Sequence, residues 1–87
     1  MEKIMTLDTD TYNRIAKDGE LGKLKEILGI KKNEKYQIGD TMVKIDKISS
    51  AGDVFKYERN GRKIFYVVIN PLNESMAFCY SIYPVFA

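Results

Sequence analysis

The stretch "YERNGRKIFYVV", residues 57 to 68, constrains the fold of this chain more than any other segment. Two alternating apolar runs meet at Asn60-Gly61. A two-residue type I′ turn needs positive φ at both central positions, and Asn followed by Gly is the pair that adopts it most readily. So short a loop fixes the strand register. Arg59 then faces Arg62, Glu58 faces Lys63, Tyr57 faces Ile64, Lys56 faces Phe65, Phe55 faces Tyr66 and Val54 faces Val67. Opposed residues share a face of the sheet. One face carries Phe55, Tyr57, Ile64, Tyr66 and Val68. The other carries Val54, Lys56, Glu58, Lys63, Phe65 and Val67.

The first face, apolar and aromatic with Arg59 and Arg62 at its outer end, is the expected core side. Alternation along the last strand adds Phe78, Tyr80 and Ile82 to it and leaves Cys79, Ser81 and Tyr83 on the reverse. The reverse face mixes Val54, Phe65, Val67, Cys79 and Tyr83 with Lys44, Asp46, Lys56, Glu58 and Lys63. Glu58 opposite Lys63 predicts a cross-strand ion pair.

Upstream the period is helical. Tyr12, Ile15 and Ala16 make one apolar stripe, and Leu21, Leu24, Ile27 and Leu28 make another. On a single helix turning about 100° per residue the two stripes would diverge by more than a right angle. The chain therefore predicts two short helices. Asp8, Thr9 or Asp10 caps the first and Gly19 breaks it. Asp18 caps a second running from about residue 19 to 28, with Gly29 and Ile30 as its exit. A short first strand is expected at 2–7, "KKNEK" (31–35) as a charged connector, and "YQIGD" (36–40) as a short strand or a lead-in with a turn at Gly39-Asp40. Strands follow at 42–48, 53–59, 62–69 and 76–86, the last ending near Pro84.

These elements predict an α+β class. Two short N-terminal helices, after a short first strand, pack on a four- to five-stranded antiparallel meander. The alternatives are a strand–helix–sheet wrap or a sheet curled into a small barrel. With 87 residues the chain is expected to be a single domain spanning 1–87, too small to hold a large internal cavity.

Composition narrows the chemistry. There is no histidine, which removes Ser-His and Cys-His nucleophiles and most zinc sites. The single cysteine, Cys79, forms no internal disulfide, and with no base beside it reads as a packed residue. The aspartates show no metal-loop spacing, and the glycines form no phosphate loop. No catalytic, metal or cofactor site is therefore expected. The start "MEKIMTLDTD" and the lack of a long apolar run suggest a soluble cytoplasmic protein without a membrane partner.

What remains is binding. The net charge of +2 neither demands nucleic acid nor excludes it. Lys56, Arg59, Arg62, Lys63, Phe65 and Tyr83 form the expected partner-binding set, because aromatic and Arg anchors are what protein interfaces use. The expected partner is a larger protein or a second copy as a homodimer, with the chain acting as a regulator or inhibitor. The alternative is RNA or single-stranded DNA stacked on Phe65 and Tyr83. Against both stand two plain readings: a sheet that curls to bury the mixed face, and hairpin arginines that splay into water.

Overall fold

The computed structural model describes residues 1–20, 22–45 and 49–85. Leu21 and Asp46, the expected run of the second strand to residue 48 and that of the last strand to residue 86 lie outside these residues. The elements in chain order are β1 (Glu2–Thr6), α1 (Thr9–Asp18), α2 (Gly22–Leu28), β2 (Tyr36–Lys44), β3 (Asp53–Arg59), β4 (Arg62–Pro71) and β5 (Met76–Pro84). The strands form one antiparallel sheet in the order β1-β3-β4-β5-β2. The fold is α+β, and the sheet does not close into a barrel because β1 and β2 are its two separate edges.

Capping chemistry sets the helices. The Asp8 carboxylate accepts the Thr11 amide at 2.8 Å and starts α1. Gly19 ends it at φ 64°, where its N–H reaches the Ile15 carbonyl. Asp18 is the last residue of α1, so it does not cap α2, which begins at Gly22 rather than near 19. The expected exit at Gly29 is present. The Gly29 N–H bonds to the Glu26 carbonyl at 3.1 Å and the Ile30 N–H to the Lys25 carbonyl at 2.9 Å, a Schellman closure.

The hairpin is as its turn dictates. Asn60 and Gly61 sit at φ 53° and 74°, and all six expected pairs from Val54–Val67 to Arg59–Arg62 are present. The strands β3, β4 and β5 form the meander. In place of a turn at Gly39-Asp40, β2 runs unbroken, and it pairs with β5 over its whole length instead of standing beside β3. Because β1 and β2 are opposite edges, the two helices cross the sheet from edge to edge and roof one face only.

The roofed face is not the one expected. Ile15, Leu24 and Leu7 pack with Val54, Phe65, Val67 and Ile82, bordered by Tyr12, Ile38 and Tyr80. On β5 the expectation that Tyr80 and Ile82 face the helices is met. On β3 and β4 it is inverted: Phe65 pairs with Ile82 and Val67 with Tyr80, so these residues lie under the helices. The physical reason is the strand order: the chain crosses between the edges β1 and β2 on this side. The charges permit it, since Glu58 and Lys63 lie toward the hairpin tip and Lys56 stands half-buried beside Phe65, so Val54, Phe65 and Val67 form an apolar floor for the helices. Each such fully buried side chain contributes about 1.5–3 kcal/mol. Two tyrosines tie α1 to the sheet. The Tyr12 hydroxyl donates to the Ile69 carbonyl at 3.2 Å, and the Tyr80 hydroxyl donates to the Ala16 carbonyl at 3.3 Å. The second bond satisfies a last-turn carbonyl that has no partner within its helix.

Candidate docking face

The face without helices has a closed half and an open half. In the closed half Val43, Ile45, Phe55, Val68, Ala77 and Cys79 are buried together, with Tyr66 packed against them. Burial pushes the Cys79 thiol up to about 11, so it is protonated and inert at neutral pH. Asp53, at the foot of β3, is 3% exposed. It accepts the Thr6 hydroxyl at 2.8 Å and the Ser50 amide at 2.9 Å, with the Lys3 ammonium at 3.3 Å. Burial pushes its carboxyl up, but the Ser50 amide, the Thr6 hydroxyl and Lys3 together hold it below the usual carboxylate range.

In the open half, hairpin parity brings Tyr57, Ile64 and Tyr66 to one side, and the β4–β5 register adds Ser81 and Tyr83. Tyr57 is 39% exposed, while Ile64, Tyr66, Ser81 and Tyr83 are half-buried. A shallow depression at this end is lined by Arg59, Asn60, Arg62, Ile64, Tyr83 and Pro84. Glycine at position 39 makes room for one of these rings. A Cβ there would stand 3.3 Å from Tyr83 Cε1, so the ring lies over the bare backbone of the edge strand. Burial, with Tyr57 and Cys79 nearby, raises the Tyr66 hydroxyl above its ordinary value, so it stays a neutral donor.

The six residues expected to bind a partner separate into two groups. Arg59, Arg62 and Tyr83 come together on the open half. Lys56, Lys63 and Phe65 belong to the helix side. The placement of Phe65 on an open surface is corrected: it is 2% exposed, with its ring 6.4 Å from that of Tyr36. Lys63 lines a groove with Tyr36, Lys31 and Glu34, and the Tyr36 hydroxyl donates to its carbonyl at 3.4 Å. The ion pair expected between Glu58 and Lys63 runs instead along β3, from Lys56 to Glu58 at 3.6 Å. Sequence reasoning assigned Tyr57, Ile64 and Tyr66 to the core. Their alternation was legible, but nothing in one sequence says which side the helices take.

Among the described residues no group of histidine, cysteine or carboxylate side chains is placed to hold a metal ion, and no helix is long and apolar enough to cross a membrane. No known protein family, curated protein or solved structure matches this chain.

Proposed function

We propose that this chain is a small non-enzymatic binding module that docks on a larger protein through the open half of its helix-free sheet face, acting as a regulator or inhibitor by occlusion. The observation that carries the reading is the exposure of Tyr57 beside Tyr66, Tyr83 and Ile64, with Arg59 and Arg62 at the rim and, among the described residues, both helices packed on the opposite face. Tyrosine gives large contact area with only two side-chain torsions to freeze, and it is enriched with arginine at the energetic centre of interfaces. Among the described residues the open half carries no side-chain carboxylate, and with the exposed Arg59 at its rim the complementary patch on the partner is acidic. The absence of histidine from the chain supports a role other than catalysis.

The test compares capture from native lysate by the wild type, by Tyr57→Ser/Tyr83→Ser, by Arg59→Glu, and by Lys17→Ser as an exposed control on α1. The expected outcome is a protein held equally by wild type and control, resistant to nuclease, and lost from both face variants. Retention that ignores the face variants would overturn the assignment. Retention abolished by nuclease would transfer the face to nucleic acid.

A further inference from the structure

The two edges of the sheet are built differently. β1 is five residues long, its register shifts between Lys3 and Met5, and Lys3 is engaged with Asp53. Shortness, a bulge and charge are the usual protections of an edge. β2 is nine residues long and pairs with β5 without a shift. Among the described residues no strand pairs with its outer side, which presents a regular ladder.

Which residues offer that ladder follows from the bonds at its two ends. The Val85 N–H donates to the Lys35 carbonyl at 2.8 Å, and the Ile45 N–H donates to the Ser75 carbonyl at 2.7 Å. Main-chain groups alternate in direction along a strand. The odd-numbered residues of β2 thus bond to β5, while Asp40, Met42 and Lys44 turn their N–H and C=O groups away from the sheet. Among the described residues the Met42 carbonyl takes a long bond from the Thr41 hydroxyl, at 3.4 Å. The side chains of Asp40, Met42 and Lys44 share one face, opposite Tyr80, Phe78 and Met76. Met42 is 52% exposed there.

We propose that this edge pairs with the same edge of a second copy, β2 antiparallel to β2 across a two-fold axis at Met42, giving one continuous sheet. The charges select the register. An axis at Asp40 sets Asp40 against itself, and an axis at Thr41 sets Asp40 against Met42. An axis at Met42 places Asp40 opposite Lys44 on both sides and stacks the two exposed Met42 side chains on each other. In that register Met42 pairs with Met42, and each Asp40–Lys44 pair exchanges both main-chain bonds. An isologous contact of this kind is self-complementary by construction. It leaves the proposed docking face uncovered and presents it twice.

Sedimentation of the full chain over a concentration series tests the pairing, with circular dichroism as the check on folding. The wild type is expected to dimerise. Asp40→Lys and Lys44→Asp are each expected to raise the dimer dissociation constant by at least about tenfold, because each sets like charges opposite at both symmetric positions. The double exchange Asp40→Lys/Lys44→Asp is expected to restore dimerisation. A wild type that stays monomeric at several hundred micromolar overturns the proposal. So does a double exchange as dissociated as the single variants, or an edge that captures only foreign extended peptides.

Discussion

Asp53 concentrates more polar interaction than any other buried residue described here. Its carboxylate joins β1, through Thr6 and Lys3, to the loop that precedes β3, through Ser50. Since folding lowers its pKa, the folded state gains from the ionised form. That gain is present above about pH 4, the ordinary value of a free aspartate, and is lost as pH falls through the lowered value. Asp53→Asn is therefore expected to be less stable than the wild type at pH 7, and the difference to shrink steadily toward pH 3. Urea melts at several pH values read this directly, and a gap that stays constant would remove Asp53 from the acid response. From the sequence Asp53 was only one of several scattered aspartates. Its role depends on Thr6, forty-seven positions away, and no local pattern links the two.

At the scale of elements, local signals carried as far as local chemistry does. The bounds of β3, the type I′ turn and the full hairpin register follow from Asn60-Gly61 and alternation, because a two-residue loop leaves no freedom. The exits at Gly19 and Gly29 follow from positive φ. The misreading at Gly39-Asp40 has an equally definite cause. The pair looks like a turn, but Gly39 stands opposite Ser81 on an edge strand and its missing side chain is replaced by the Tyr83 ring. This predicts coupling between the two residues. In a Tyr83→Ala background, Gly39→Ala is expected to stabilise by roughly 0.5–1 kcal/mol, since it removes only glycine's backbone freedom. In the wild type the same change forces the ring aside and the gain is lost. A double-mutant cycle by urea denaturation should give an interaction of about 1 kcal/mol. Strict additivity would mean that the ring does not rest on Gly39.

For the whole molecule the decisive fact is which face the helices cover. Alternation correctly sorted the hairpin's side chains into two sets, and the α+β class with helices before a sheet was legible. The choice between the sets was not. Both faces offer apolar residues, and the outcome depends on where the chain crosses from edge to edge between β1 and β2, a long-range property of the strand order. The helices took the side of Val54, Phe65 and Val67. Tyr57, Tyr66 and Tyr83 were thereby left with the arginines on the far side, and the proposed docking surface rests on that division.

The most direct measurement is the unfolding free energy of Phe65→Ala set beside that of Tyr57→Ala. Phe65 lies beneath the helices, so its truncation is expected to cost about 3–5 kcal/mol, as for a large ring removed from a core. Truncating Tyr57, on the open half, is expected to cost less than about 1 kcal/mol. The reverse order, with Tyr57 costly and Phe65 nearly neutral, would mean that the helices cover the other face and that no open tyrosine surface exists.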